Sequence, residues 1–204
     1  MRGASVATIL LAAGQSLRMG ARNKLLLPIS GIPMIRHMVL CYRAASDGEV
    51  LVVTGHEAGA IEEAIAGTHA RPLFNPDYAQ GQQSSVICGL TNAAEAEAIL
   101  IGLGDQPLLT PTDLRDLISA HRAAGGDKIS IPMKEDQRGN PIVVPATLRA
   151  RLLADPKGPG CKRFTRTQAE HVQPLQMTAP GFFADVDTPA AYAALTAPGH
   201  GGAP

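Results

Sequence analysis

An almost unbroken apolar run, Val6 to Ala13, stops at Gly14 and gives way to a glycine-bounded loop carrying Arg18 and, just beyond Gly20, Lys24. The run is apolar without alternation, the pattern of a strand buried on both faces of a parallel sheet. A strand that ends in glycine and then in cations delivers an anion-binding loop. The strand gives rigidity, the glycines allow close backbone approach, and the cations neutralise charge. Neither of the two commonest phosphate loops is present. Walker A needs Lys directly after its second Gly, and here Ala21-Arg22-Asn23 separate Gly20 from Lys24. The dinucleotide pattern G-x-G-x-x-G fails because Ala12 and Ser16 flank Gly14 at two residues' distance.

The rest of the chain supplies partners for that strand. Glu49 to Gly55 and Ala98 to Leu103 read as further buried strands, and Arg71 to Asn75 as another. Helices are expected from Met34, over Ala58 to Ala66, from Ser84 or Ser85 as a cap to about Glu95, and from Thr110-Pro111 onward. Lys128 to Pro132 and Pro141 to Pro145 read as strands around the polar turn 135–140. Ala146 to Leu153 and Cys161 to Glu170 read as helices. Val172 to Met177 and Phe183 to Asp187 read as late strands, and Thr188-Pro189 opens a last helix through Leu195. Alternating strands and helices predict an α/β fold, a three-layer doubly wound sandwich with a mostly parallel sheet. A single domain over 1–198 and a loose tail over 199–204 are expected. The loops at 12–24, 75–85, 104–107 and 185–188 should converge on one cleft beyond the strands' carboxyl ends.

The 204 residues are 45% hydrophobic, 3% aromatic and without Trp, with 18 basic and 18 acidic side chains. Balanced charge leaves no field to draw in a nucleic acid polymer, and the scarcity of aromatics removes base-stacking platforms. Cys41, Cys88 and Cys161 are odd in number and widely spaced, which predicts reduced thiols in a cytoplasmic protein rather than a disulfide framework or zinc site. Arg2 and the run behind it resemble a short signal peptide, but Gly14 and the cations break it, and no stretch reaches membrane-spanning length. Neither secretion nor a membrane is expected.

Leu11-Ala12-Ala13-Gly14-x-Ser16-x-Arg18-Met19-Gly20-x-x-x-Lys24-Leu25-Leu26-Leu27-Pro28 resembles the signature loop of the MobA- and MocA-like nucleotidyltransferases, enzymes that load a nucleotide onto molybdopterin cofactor. The resemblance implies that Leu11, Ala12, Ala13, Gly14 and Ser16 wrap the triphosphate, with Arg18 and Lys24 on phosphate oxygens. It also implies the nucleotide-diphospho-sugar transferase variant of the fold. Gly104-Asp105-Gln106-Pro107 matches the family's metal motif, which makes Asp105 a Mg²⁺ ligand; a carboxylate at a strand end facing a triphosphate suits that ion. A second acidic ligand is implied within Asp185-Val186-Asp187, Asp187 before Asp185, and alternation on an extended segment points both the same way. Phe74-Asn75-Pro76 through Gly81-Gln82-Gln83-Ser84-Ser85 resembles the base-reading loop, with Asn75, Gly81 and Ser84 as the candidates.

On the acceptor side, Arg138-Gly139-Asn140-Pro141 resembles the family motif, so Arg138 and Asn140 are expected on the molybdopterin phosphate. Downstream the chain departs from the MocA pattern: Lys157 to Phe164 stands where Gly-Asp-x-Gly-Ala-Arg is expected, which puts Lys162 or Arg163 in reach of an acceptor phosphate or leaves them as solvated charges. The expected reaction is nucleotidyl transfer from CTP or GTP to molybdopterin cofactor, with a molybdoenzyme receiving the product. Ala13 stands where guanylyl enzymes tend to carry Gly; its methyl narrows the room for a purine, so CTP is preferred. The alternatives are guanylyl transfer, transfer to a sugar or polyol phosphate, and a non-catalytic cofactor carrier.

Overall fold

The computed structural model describes residues 5–20, 22–154 and 160–197. The tail 199–204, Arg2 and residues 157–159 therefore lie outside the described residues. In chain order the elements are β1 (Val6–Ala12), β2 (Pro28–Ile29), β3 (Ile32–Pro33), α1 (Met34–Ala45), β4 (Val50–Thr54), α2 (Ala58–Ala64) and β5 (Arg71–Phe74). Then follow α3 (Gln82–Asn92), β6 (Ala98–Leu103), α4 (Pro111–Ala123), β7 (Ile129–Lys134), β8 (Gln137–Arg138), β9 (Ile142–Pro145), α5 (Ala146–Leu153), α6 (Cys161–Thr167), β10 (Val172–Gln176) and α7 (Pro189–Thr196).

The main sheet runs β10-β7-β9-β6-β1-β4-β5, with β8 paired to β7. The apolar runs occupy its centre, because a strand with side chains buried on both faces must be covered by helices on both sides. Ile9 lies beside Leu51 of β4 and Ile101 of β6, all parallel. Alternate residues feed opposite layers. Leu10, Val52 and Leu100 pack into the core with α1, α2 and α4. Ile9, Leu51 and Ile99 pack into the core with α3, α5 and α6. This is the three-layer, mostly parallel α/β sandwich that the sequence predicts. Strands β8 and β9 are the exceptions: β9 is antiparallel to both β6 and β7, and the short β8 is antiparallel to β7.

Local rules set several boundaries. Thr110 and Asp113 form a reciprocal capping box before Pro111, and Thr188 caps α7 before Pro189. At Gly102 a Cβ would collide with the hydroxyl of Tyr42, which lies fully buried on α1. Three expectations are corrected. Helix α3 starts at Gln82 after Gly81, whose φ of +103° ends the preceding single turn, so Ser84 and Ser85 sit in the first helical turn and are not its caps. The helix from Cys161 ends at Thr167 and gives way to a separate 3-10 turn at Ala169–His171, not continuing to Glu170. Residues 183–187 are not a strand, since no sheet edge is offered to them. Directly after the buried Phe182, they form an irregular arm held by isolated hydrogen bonds and the buried side chain of Val186.

Candidate active site

The loop leaving β1 is pinned at two points and displays the rest. Met19 and Leu25 are buried, Ser16 takes a left-handed φ of 51°, and its hydroxyl accepts from the Lys24 amide at 3.2 Å. Asn23 caps the short turn that carries Lys24, accepting from Leu25 N at 3.1 Å. Lys24 is thereby turned inward while Arg18 reaches over the opening from an exposed position.

Both cations meet carboxylates there. Lys24 Nζ donates to Asp105 Oδ2 at 2.5 Å and to Asp187 Oδ1 at 2.6 Å, and Arg18 pairs with the other oxygen of Asp187. Asp105, Asp185 and Asp187 each place a carboxylate oxygen within 4.8 Å of the others. Burial drives the Asp105 carboxyl above its ordinary value, Lys24 pulls it back, and Asp185 and Asp187 push it further up. For Asp187, burial is outweighed by Lys24 and Arg18, and its carboxyl is held below the usual range. The Lys24 ammonium, disfavoured by burial, is raised on balance by Asp105 and Asp187. One oxygen of Asp105, Oδ1, is buried without a hydrogen-bond partner. Three clustered carboxylates and one orphaned oxygen fit an oxygen-liganded divalent cation; a buried acceptor otherwise left bare is costly.

These groups line one cavity of about 500 Å³, within the range of small-molecule sites. Leu11, Ala13, Gly14, Ser16, Arg18, Lys24, Gly81, Asp105, Asp185 and Asp187 are all on its wall. The four predicted loops do converge. The structure places other expected residues differently. Ala12 is buried in the α1 side of the core. Asn75 is 2% exposed and donates to Ser84 Oγ at 2.9 Å and Ser85 Oγ at 3.1 Å, so it knots the loop together from behind. Ser84 spends its proton on the carbonyls of Asp77 and Gly81, whereas Ser85 is the one of the pair on the cavity wall. Gln82 and Ser85, within the stretch that resembles the base-reading loop, face the cavity, and so does Tyr78, for which the sequence carries no signal. Arg138 and Asn140 are not on that wall. Arg138 donates to Thr165 at 2.9 Å on α6, and Asn140 N–H donates to the Phe182 carbonyl at 2.9 Å.

Residues 8–173 match the profile of the MobA-like NTP transferase domain. The chain belongs to that family. Among relatives, nicotine blue oxidoreductase of Paenarthrobacter nicotinovorans is 30% identical over 189 residues, covering 90% of this chain and 92% of that one. Bifunctional protein GlmU of Kineococcus radiotolerans is 34% identical over 159 residues, which cover 76% of this chain and 28% of GlmU. The chain thus spans well under half the length of that relative. Among solved structures, a nucleotidyl transferase from Methanothermobacter thermautotrophicus superposes with a TM-score of 0.78 at 24% identity, covering 94% and 95% of the two chains. A Mycobacterium sp. strain JC1 homologue of Mycobacterium tuberculosis Rv0371c gives 0.78 at 27%, covering 93% and 94%. Among the described residues of this MobA-like chain, no helix is long and apolar enough to cross a membrane.

Proposed function

We propose that this MobA-like chain is a nucleotidyltransferase that transfers CMP from CTP to the phosphate of molybdopterin cofactor and releases pyrophosphate. The observation that carries the reading is the meeting of Lys24 and Arg18 with Asp105 and Asp187 at the mouth of the Ala13–Gly20 loop. An acceptor phosphate oxygen forms the new bond to the α-phosphorus, the bond from that phosphorus to the bridging oxygen breaks, and the electron pair leaves with pyrophosphate. Lys24 and Arg18 turn from carboxylates to triphosphate oxygens and neutralise charge that grows on the leaving group. Backbone amides of 13–20 orient the phosphates, and Ser85, Gln82 and Tyr78 flank the nucleoside. Asp105 and Asp187, with Asp185 beside them, would hold Mg²⁺, which when bound screens phosphate charge and aligns the reacting oxygens. Arg138 and Asn140 take the acceptor side, and the product passes to a molybdoenzyme.

The methyl of Ala13 on the cavity wall favours the smaller pyrimidine, and a neighbour of the same fold, CMP:2-keto-3-deoxy-manno-octonic acid synthetase, is known in complex with CTP (TM-score 0.70, 16% identity). Another neighbour, Rv0371c of Mycobacterium tuberculosis, is known in complex with manganese (TM-score 0.71, 22% identity). A second reading comes from the Paenarthrobacter relative, which is named an oxidoreductase and matches almost end to end. The cation–carboxylate cluster favours transfer over that reading. Incubation with CTP, GTP or ATP, without acceptor or with molybdopterin cofactor, a sugar phosphate or a polyol phosphate, and measurement of pyrophosphate decides: release with CTP and cofactor together is expected. Release with GTP alone among the nucleotides would reassign the base, release only with a sugar or polyol phosphate the acceptor. No release with any pair would leave the carrier or oxidoreductase reading.

A further inference from the structure

Gln106 is 2% exposed, directly after Asp105, and its amide is only half satisfied. Nε2 donates to the carbonyls of Phe182 at 3.2 Å and Gly181 at 3.4 Å, while Oε1 is buried with no partner. A buried polar atom left bare is destabilising, and an apolar side chain would carry no such bare oxygen. What the amide does hold is the start of the irregular arm that carries Asp185 and Asp187. That arm has no ladder of strand hydrogen bonds. Its polar ties to the Asp105 loop are the Gln106 amide at one end and Val186 N–H donating to the Asp105 carbonyl at 2.9 Å at the other. The Phe182 carbonyl also accepts from Asn140 N–H, so one oxygen joins the loop after β6, the arm and the 138–140 turn. A Cβ at Gly139 would sit 2.7 Å from that same oxygen, which leaves no slack in the junction.

We propose that Gln106 is a positioning residue: its amide fixes the arm so that Asp185 and Asp187 stand at cation-binding distance from Asp105. The inference rests on the reading of those carboxylates as a divalent-cation site. Groups that orient metal ligands from behind typically account for about 10–100-fold in metal affinity. The test is Mn²⁺ binding to the nucleotide-free protein, read by electron paramagnetic resonance, alongside thermal melting. Wild type should bind one ion, and Asp187→Asn should abolish binding; if Asp187→Asn binds like wild type, the cation-site reading itself falls. Gln106→Leu, which removes the donor, should weaken Mn²⁺ about tenfold or more in a protein that still melts cooperatively. Gln106→Met, the second donor-free variant, should do the same and carries the test if Gln106→Leu fails to fold. Mn²⁺ affinity unchanged in a folded donor-free variant, with Asp187→Asn still defective, overturns the positioning role alone.

Discussion

At the scale of single residues, the site stores a contradiction that substrate would resolve. Lys24 contacts both Asp105 and Asp187, which are the carboxylates a cation would use. In the proposed cycle the ammonium acts as an internal counter-ion until phosphate draws it away. Lys24→Ala should therefore bind Mn²⁺ more tightly than wild type without nucleotide, yet release pyrophosphate about a hundredfold more slowly. Equilibrium titration and a turnover assay on one preparation check both signs. A second residue-scale expectation concerns His121, buried on α4 with Nδ1 2.8 Å from Ser130 Oγ. Burial lowers its pKa from 6.5, so the unfolded chain takes up a proton at a pH where the folded chain does not. Its effect on stability is absent well above that value and grows as pH falls through 6.5 toward the lower folded-state value. Melting temperatures followed from neutral pH to about pH 5.5 should fall less steeply in His121→Asn than in wild type.

At the scale of elements, arginines from elsewhere in the chain close the ends of three helices. Arg36 donates to the carbonyls of Ala64 and Ala66 at the end of α2, Arg115 to Ala44 at the end of α1, and Arg71 and Arg149 to Asn92 and Thr91 at the end of α3. Each places a cation at the negative end of a helix dipole and satisfies bare carbonyls. Helix α2 spans seven residues and lacks a side-chain cap at its N-terminus, so it should depend on this most. Arg36→Ala should cost about 1 kcal/mol and lower the melting temperature by about 2–4 °C, with faster amide exchange in 58–66. The central strands were legible because unbroken apolar runs have few other readings. The direction of β9 was not, since Ile142 to Val144 reads alike either way and the short connection from β8 decides it. Segment 183–187 looked like a strand because it alternates. That alternation was real, with Val186 buried between Asp185 and Asp187, but an extended segment becomes a strand only when a neighbour offers hydrogen bonds.

At the scale of the whole molecule, the two cores seal the sheet and leave chemistry to one end of it. Burial raises the Cys41 and Cys161 thiols to about 12, whereas Cys88 is half-buried and raised less far. A thiol-specific reagent should accordingly titrate one cysteine in the native protein and all three after denaturation, a direct measure of how well both helical layers cover the sheet. The site was legible where one continuous motif carried it, as with Ala13 to Lys24, and where a carboxylate ended an apolar strand, as with Asp105. It was not legible where tertiary contacts choose between neighbours: Asn75 and Ser84 look as polar as Ser85, yet only Ser85 among them lines the cavity. The central claim is that this cavity positions a triphosphate and a divalent cation for transfer. Pyrophosphate release from CTP with molybdopterin cofactor and Mg²⁺, compared between wild type and Asp105→Ala, tests it most directly. A loss of about a hundredfold or more in Asp105→Ala is the predicted result; turnover equal to wild type would contradict the account.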